Sequence, residues 1–335
     1  PELQKRQVET IVVLIHEGGS PGAFDINTCN DVTGPIVDIV NALDPAVDVV
    51  VSGHTHQPYN CVINDTLLTS AYSFGRIVTD IDLSISRDSG DVVAASANNV
   101  IVTRDVPPHP ELTALIEEYR TLSDPLANRV VGSITADITR TANAAGESAL
   151  GDVIADAQLF ATAPADFGGA VVAFMNPGGI RADLPFDPSG SEQPGEVTYG
   201  EIFTVQPVGN SLVTLTLTGE QIDTLLEQQF DNPAPGEMRI LQVSAGFSYE
   251  WSAAAPTGEK VDPNTILIDG VVVDPGASYR VTVNSFLADG GDNFTVLTEG
   301  TDRLGGAVDT DAFEAYLTEF SPVPPGPMDR IIVVP

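Results

Sequence analysis

Three of the four histidines in this chain follow apolar runs that are typical of buried strands. His16 follows the run at residues 10–15, and both His54 and His56 follow the run at residues 47–51. The carboxyl ends of parallel strands lie at one edge of a sheet, so we expect the three imidazoles to converge there. Neutral imidazole suits zinc, manganese or iron better than magnesium. The spacing therefore predicts a site for a divalent transition metal.

A second group of residues has the chemistry of an anion site. The sequence NPGGIR at residues 176–181 follows an apolar run at residues 170–174. Its glycines expose backbone N–H groups, and Arg181 adds a planar fork of donors. This combination favours phosphate or carboxylate binding. From these residues alone, an ordinary turn with a nearby arginine is the alternative.

The loop at residues 284–294 combines aromatic rings and carboxylates around a pair of glycines. Its chemically relevant side chains are Phe286, Asp289, Asp292 and Phe294. An aromatic ring can stack on a nucleobase, and a carboxylate can accept hydrogen bonds from ribose hydroxyls. We expect Phe286 to be available for stacking, whereas we expect Phe294 to be a core residue.

Both cysteines, Cys29 and Cys61, lie near the start of the chain. They could form a disulfide, remain two buried thiols or take part in a metal site. No CxxC spacing occurs, which excludes a zinc finger. We expect the disulfide, which would place the protein in an oxidising, extracytoplasmic compartment.

The histidines need a sheet to position them, and the first part of the chain predicts one. Apolar residues recur at helical spacing over 34–43, between the two strand-like runs. This predicts a βαβ unit whose parallel strands are buried on both faces. Residues 76–86 and 92–102 alternate around a DSGD turn and predict a hairpin. Prolines at 106–110 end this part, and residues 111–122 predict a linker helix.

The rest of the chain mixes helices, strands and hairpins, which predicts an α+β domain of about 200 residues. Thr198 with Glu201, and Thr218 with Gln221, fit capping boxes that open helices. An Asp-Gly pair at 269–270 predicts a tight hairpin turn. The further strands expected are 170–174, 212–217, 279–283 and 330–334, and the further helices are 148–161 and 311–320.

The composition limits the partners of this protein. The chain has 335 residues, 42% of them hydrophobic, and a formal net charge of −33 from 47 acidic and 14 basic residues. Such a surface repels nucleic acid and anionic membranes, which argues against both as partners. A free nucleotide is also an anion, so its site would need local arginines or metal ions. No run reaches the roughly 18 to 20 apolar residues that a membrane span requires.

Two sets of motifs resemble known families. LIHEGG followed by SGHTH is similar to the second half of the calcineurin-like metallophosphoesterase domain. The NPGGIR and FLADGGD loops, with ESALGD at residues 147–152, resemble the 5'-nucleotidase C-terminal domain. The resemblance implies the C-terminal half of an α/β metallophosphoesterase sandwich at residues 1–107. A linker helix at 108–128 and an α+β nucleotide-binding domain at 129–335 would follow.

The resemblance assigns roles to individual residues. It implies two divalent metal ions, with zinc or manganese expected, and this chain would supply the ligands His16, His54 and His56. Substrate contacts are implied for Asn176, Gly179, Arg181, Phe286 and Asp292. In this set Asn176 and Arg181 would hold the phosphate, Gly179 would bring the backbone close to the ligand, Phe286 would stack on the base and Asp292 would bind the ribose.

This sequence departs from the family pattern at two places that concern the substrate. The family has an arginine shortly before the helix at 148–161, and the nearest one here is Arg140, so its reach to the phosphate is an open question. Val208 stands where the family has a second stacking aromatic residue. We therefore expect a base site that is stacked on one side only, with lower base affinity or broader specificity.

The implied function is metal-dependent hydrolysis of nucleotide phosphomonoesters by a secreted or cell-surface enzyme. In the family, the first half of the metallophosphoesterase domain supplies the other metal ligands and the catalytic histidine. That half is the expected partner piece, and the chain alone is expected to hydrolyse nothing. Relatives that act on 2',3'-cyclic nucleotides, 3'-nucleotides or UDP-sugars are alternatives, as is a non-catalytic nucleotide-binding module.

Overall fold

The computed structural model of the protein describes residues 2–230, 232 and 237–335. They form two compact units, of which the first ends at Leu112 and the second begins at Thr113. The division lies within the helix Pro110–Ala127, numbered α3 below. This helix confirms the one expected at residues 111–122 and is longer at its C-terminal end. The three domain ranges expected from the resemblance stay a prediction.

The first unit is built mainly of strands. Its elements are α1 Glu2–Lys5, β1 Val12–Leu14, α2 Pro35–Ala42, β2 Val49–Ser52, β3 Pro58–Ile63, β4 Thr66–Ala71, β5 Ile77–Ile85 and β6 Val92–Ile101. Strands β5 and β6 pair antiparallel, with Ile77 opposite Ile101. The predicted hairpin is thereby confirmed.

A four-stranded sheet in the order β1-β2-β4-β3 organises the first unit. β1 pairs with β2 in parallel, with Val13 opposite Val50, and β2 pairs with β4 in parallel, with Val50 opposite Leu68. Together with α2, the first two strands form the predicted βαβ unit. Because the three strands are parallel, the loops that follow them leave the sheet at the same edge.

The expected burial of both strands on both faces is wrong for β1. Its residue Leu14 is 77% exposed, whereas Val49 and Val50 of β2 are fully buried. The difference arises because β1 is the edge strand of this sheet, whereas β2 lies between two neighbours. Hydrophobic periodicity marks a strand but does not tell an edge position from a central one.

A disulfide joins Cys29, in the loop before α2, to Cys61 in β3, with a Cα–Cα distance of 4.6 Å. The expected disulfide is thereby confirmed. It closes a segment that contains α2, β2 and the two histidines after β2. The cross-link therefore restrains the part of the sheet that carries these histidines.

The second unit mixes helices and strands. After α3 its elements are β7 Val130–Ser133, α4 Ala149–Thr162, β8 Val172–Met175, β9 Glu196–Thr198, α5 Tyr199–Val205, β10 Ser211–Thr218, α6 Gly219–Glu227, β11 Gln242–Val243, β12 Phe247–Ser252, β13 Leu267–Ile268, β14 Val271–Val272, β15 Ser278–Asn284, α7 Ser285–Ala288, β16 Thr301–Val308, α8 Asp309–Phe320 and β17 Ile331–Val334. No helix among the described residues of either unit is long and apolar enough to cross a membrane.

The central sheet of the second unit has the order β11-β8-β15-β10-β16. β8 and β15 are parallel neighbours, with Val172 opposite Val281. Apolar side chains such as Phe174, Leu215 and Val283 are fully buried in its core. Because β8 and β15 run in the same direction, the loops at their carboxyl ends emerge next to each other.

Local signals in the sequence set several element boundaries in this unit. Both predicted capping boxes are present, at Thr198 with Glu201 before α5 and at Thr218 with Gln221 before α6. The predicted turn at 269–270 joins β13 to β14, and both of its residues have positive φ angles. These features depend on neighbours in the chain, which is why the sequence alone predicts them.

Candidate functional site

The loops after β1 and β2 bring two of the three expected histidines together. His54 Nδ1 lies 3.2 Å from His16 Nε2. Both His54 and His56 have left-handed backbone angles, with φ of 64° and 55°. Such angles are uncommon for residues other than glycine, and at functional sites the surrounding structure must hold them in place.

The spacing of His16 and His54 fits a shared metal ion. Two nitrogen ligands of one tetrahedral zinc ion, each about 2.0–2.1 Å from the metal, lie about 3.3 Å apart. The imidazole ring of His56 instead faces Phe74, with 5.4 Å between ring centroids. Over the described residues, no group of three or more His, Cys, Asp or Glu side chains is placed to hold a metal ion. The two-metal centre therefore stays a prediction. The spacing of His16 and His54 supports these two residues as ligands of one ion.

Several hydrogen bonds hold the two histidine loops against each other. Gly53 N–H donates to the Glu17 carbonyl over 3.0 Å, and the Thr55 hydroxyl donates to the Gly19 carbonyl over 2.8 Å. The approach is so close that a side chain at Gly18 would place its Cβ 2.1 Å from the Gly53 carbonyl oxygen. Glycine is therefore required at position 18.

The fully buried Tyr59 adds a link beneath these loops. Its hydroxyl accepts from Gly19 N–H over 3.2 Å and is 2.7 Å from the Ser52 hydroxyl. Burial raises the pKa of the Tyr59 hydroxyl, so it stays protonated at neutral pH. The link connects the residue that ends β2 to the loop that follows β1.

In the second unit, the two loops with nucleotide-type motifs meet at the carboxyl ends of β8 and β15. Asn176, the first residue after β8, donates from Nδ2 to Asp292 Oδ2 over 3.0 Å. Asn284, the last residue of β15, donates from Nδ2 to Asn176 Oδ1 over 2.8 Å. Asn176 and Asn284 are almost fully buried. The two loops therefore share one hydrogen-bonded network.

The two phenylalanines of the second loop have different surroundings. Phe294 is fully buried in the core, as expected, whereas Phe286 is 41% exposed. A Cβ at Gly291 would lie 2.6 Å from the ring of Phe286. The ring thus covers a glycine backbone on one side and has exposed surface that is available for a ligand.

Asp292 is held by an arginine that the sequence analysis did not identify. Arg239 Nη1 forms an ion pair with Asp292 Oδ1, while Oδ2 accepts from Asn176. Asp292 itself has a left-handed backbone, with φ of 53°. Arg239 lies more than fifty positions earlier in sequence, in a segment without a recognisable motif, so only the fold reveals this pairing.

The two expected phosphate arginines differ in their contacts. Arg181 is exposed, and across the described residues its guanidinium has no hydrogen-bond or ion-pair partner; its backbone N–H donates to the Val205 carbonyl. Arg140 Nη1 donates to the Ile180 carbonyl over 3.2 Å. Arg140 therefore reaches the 176–181 loop, although its contact with a phosphate stays a prediction.

A cavity of about 430 Å³ lies beside this loop, and its lining residues are Arg140, Thr141, Ser148, Pro177, Ile180 and Asp183. Gly179 follows within the same loop, and a Cβ there would lie 2.4 Å from Met175 Cε. Val208 is 55% exposed in the turn after α5. The one-sided stacking expected from Val208 stays a prediction.

Comparisons with known proteins show what this chain is similar to. The chain is 30% identical over 322 residues to "Endonuclease YhcR" of Bacillus subtilis, and the match covers 95% of this chain and 24% of that protein. It is also 30% identical over 337 residues to "Cell wall protein Lmo0130" of Listeria monocytogenes, covering 95% of this chain and 42% of that protein. The chain thus spans less than half the length of these relatives.

A solved structure is similar over nearly the whole chain. The 5'-nucleotidase precursor from Thermus thermophilus superposes with a TM-score of 0.68 at 28% identity, covering 99% of this chain and 65% of that one. The sequence profile described as 5'-nucleotidase, C-terminal domain, matches residues 130–299, which is half of the chain and includes both loops of the second unit. On this evidence the chain belongs to the 5'-nucleotidase family.

Proposed function

We propose that this chain is part of a metal-dependent phosphohydrolase that releases phosphate from nucleotides, as a 5'-nucleotidase does. The observation that supports this best is the hydrogen bond between Asn176 and Asp292. It joins the phosphate-type loop to the aromatic loop within the segment that matches the family. A nucleotide carries a phosphate and a base in one small molecule, so a site for it needs phosphate-binding and base-stacking groups close together.

In this proposal the second unit binds and orients the nucleotide. The exposed ring of Phe286 stacks on the base, and Asp292 accepts hydrogen bonds from the ribose. The guanidinium of Arg181, which has no protein partner among the described residues, is available for the phosphate oxygens. Arg239 supports Asp292 by keeping its carboxylate oriented.

The first unit contributes metal ligands in this proposal. His16 and His54 would hold one ion, because their nitrogen atoms are spaced for a shared metal, and His56 would hold a second. Zinc or manganese is the expected metal in both positions. Such ions, when bound, lower the pKa of a water molecule and stabilise charge on a phosphate. The hydrogen bonds of Tyr59 and Thr55 would fix the spacing of the ligand loops.

A free nucleotide is a better candidate substrate than a nucleic acid. One relative is named an endonuclease, but this chain spans only 24% of that protein. The net charge of −33 disfavours approach of a polyanion. A panel of AMP, 3'-AMP, 2',3'-cyclic AMP and a UDP-sugar, with released phosphate as the readout, would separate the remaining substrate classes.

We further propose that the protein works outside the cytoplasm. The disulfide between Cys29 and Cys61 would persist in an oxidising compartment. One relative is named a cell wall protein. Mass spectrometry of the native protein with and without reductant tests this proposal, because two free thiols would remove its main support.

Nucleotide binding can be tested on this chain without catalysis. We expect AMP to shift the amide NMR signals of residues 176–181 and 284–294. Phe286→Ala should weaken binding at this site by roughly 5- to 150-fold, because stacking on a base contributes about 1–3 kcal/mol. Phe167→Ala removes another exposed phenylalanine and serves as the control. If AMP leaves both loops unperturbed, nucleotide binding by the second unit is wrong.

Catalysis requires a separate test. We expect the 335-residue chain to release no phosphate from AMP, and a longer form that carries the first half of the metallophosphoesterase domain to be active. His54→Ala and His56→Ala should each abolish the activity of the longer form. Full activity of these variants would show that neither histidine is needed for catalysis. A longer form that releases no phosphate would support the non-catalytic module instead.

A further inference from the structure

A group of aromatic side chains and one arginine lies at the histidine edge of the first unit. It consists of Phe24, Tyr72, Phe74 and Arg76 and is called the aromatic platform here. Phe24 is 68% exposed and Phe74 is 75% exposed. The Phe24 and Tyr72 rings pack edge to face at 6.0 Å between centroids. The platform therefore presents large apolar rings to solvent.

The position of the platform follows from the sheet. Residues 72–76 leave the carboxyl end of β4, which is parallel to β2, so they emerge beside the loop that carries His54 and His56. The ring of Phe74 is in contact with that of His56. Tyr72 and Phe74 have φ angles of 70° and 59°. Aromatic residues rarely adopt this conformation, and such strain concentrates at binding and catalytic sites.

Arg76 gives the platform a positive charge. Its guanidinium carbon lies 5.6 Å from the centroid of the Tyr72 ring and 5.3 Å from that of the Phe74 ring. The side chain is exposed, and no ion pair or side-chain hydrogen bond of Arg76 occurs within the part of the chain that the structure describes. The guanidinium of Arg76 is therefore available to an anionic ligand. Exposed rings beside such a guanidinium match an anion that also carries an aromatic ring.

We propose that the aromatic platform is a second nucleotide-binding subsite, in which the rings stack on a base and Arg76 contacts the adjoining phosphate. The proposal rests on the proposed function, in which the phosphate that reacts lies at the histidines. A base stacked on Phe74 would then lie beside His56, one of the expected metal ligands.

Site-resolved NMR on the 335-residue chain tests the proposal, with AMP as the probe. AMP should shift the signals of residues 72–76 as well as those of the two loops in the second unit. Phe74→Ala and Arg76→Gln should each weaken binding at the platform by about 5-fold or more. Neither change should alter the affinity of the second unit. Arg87→Gln, which removes an exposed arginine from the hairpin of the same unit, should leave platform binding unchanged.

The outcomes separate this proposal from the proposed function. If AMP shifts only the loops of the second unit, the platform proposal is wrong and nucleotide binding by the second unit stands. If AMP shifts only residues 72–76 and Phe286→Ala has no effect, the platform is supported and the role of Phe286 is wrong. Equal binding at the platform in wild type, Phe74→Ala and Arg76→Gln would also overturn the proposal. Circular dichroism of each variant confirms that the protein remains folded.

Discussion

The carboxyl group of Asp152 shows how burial changes the chemistry of a single residue. Its side chain is buried near Glu147, Asp156 and Arg330, and neither of its oxygen atoms accepts a hydrogen bond from a donor in the described part of the chain. Arg330 forms two hydrogen bonds with Asp156, at 2.7 and 2.8 Å, and lies 3.9 Å from Asp152. Burial raises the pKa of Asp152 to about 9, Arg330 opposes this shift and Glu147 adds to it. The group is therefore neutral at pH 7, when its O–H can donate a hydrogen bond to Glu147.

This pKa predicts how stability depends on pH. The folded-state pKa of Asp152 lies above the ordinary value of 3.8. The contribution of Asp152 to the free energy of unfolding is therefore complete below about pH 4, and it is lost as the pH rises towards 9. Asp152→Asn removes this loss and should stabilise the second unit at pH 8. The gain over wild type should grow by at most about 1.4 kcal/mol per pH unit. Urea unfolding at pH 5 and pH 8, followed by the single Trp251, measures it.

Asp156→Asn serves as the contrasting variant in the same helix. It removes one partner of a bidentate ion pair, so it should destabilise the protein at both pH values. If Asp152→Asn gives no gain at pH 8, the carboxyl group of Asp152 is already ionised and the assignment of a neutral group is wrong.

Among the secondary-structure elements, α5 shows how a short helix is given a fixed start. It has only the residues Tyr199–Val205, and isolated helices of this length are not stable. The Thr198 hydroxyl accepts from Glu201 N–H, and the Glu201 carboxylate accepts from Thr198 N–H over 2.8 Å. The helix leads into the turn that contains Val208, and Arg181 N–H bonds to its last residue, Val205. Its position therefore affects the arginine loop.

We expect Thr198→Ala to lower the free energy of unfolding of the second unit by about 1 kcal/mol, because it leaves backbone donors at the helix start without a partner. Thr204→Ala is the matched control, since its exposed hydroxyl bonds only to a carbonyl within the same helix. Urea unfolding followed by Trp251 compares the two. An equal loss in both variants would mean that the capping box is not the cause.

The disulfide acts on a group of elements in the first unit. It links residues 32 positions apart and encloses α2 and β2. Reduction should therefore destabilise this unit by about 2–4 kcal/mol, mainly because the unfolded chain gains conformational entropy when the cross-link is removed. Calorimetry with and without reductant should show this loss of stability in the first unit. The unfolding transition of the second unit, followed by Trp251 fluorescence, should stay unchanged. A shift of the Trp251 transition alone would contradict this expectation.

For the molecule as a whole, charge is the dominant property. A net charge of −33 over 335 residues makes the folded chain repel itself. Only a few acidic groups are paired with arginine in the described structure, for example Asp156 with Arg330 and Glu314 with Arg129. Most of the negative charge is therefore exposed to the surrounding salt.

We expect the melting temperature to rise by several degrees when NaCl is increased from about 0.05 to about 1 M, because the Debye length falls from well above 10 Å to about 3 Å. Salt should also tighten AMP binding if it weakens the repulsion between the acidic protein and AMP more than it weakens the attraction between AMP and the arginines. Differential scanning calorimetry in NaCl and in KCl measures the first effect. A melting temperature that does not change with either salt would show that self-repulsion is small.

The sequence predicted the parts of the candidate site that follow from strand direction. His16 and His54 lie together because each comes after a parallel strand of the predicted βαβ unit. Asn176 meets Asp292 through the parallel pairing of β8 and β15, which no local pattern in the sequence indicates. The sequence did not predict that His56 contacts Phe74, since Phe74 follows β4, whose parallel pairing with β2 has no local signal. It also missed Arg239, because an ion pair between distant segments leaves no periodic pattern.

By itself, the sequence determined the local features of this protein: the βαβ unit, the hairpins, both capping boxes and the two loops with nucleotide-type motifs. These depend on hydrophobic periodicity and on hydrogen bonds between residues a few positions apart, which any stretch of chain carries with it. Only the tertiary structure decided that β1 is an edge strand, that Asp152 is buried beside Arg330 and that an aromatic platform adjoins His56. Sheet order and burial arise from contacts between distant segments, so their physical cause lies in the packing of the whole fold.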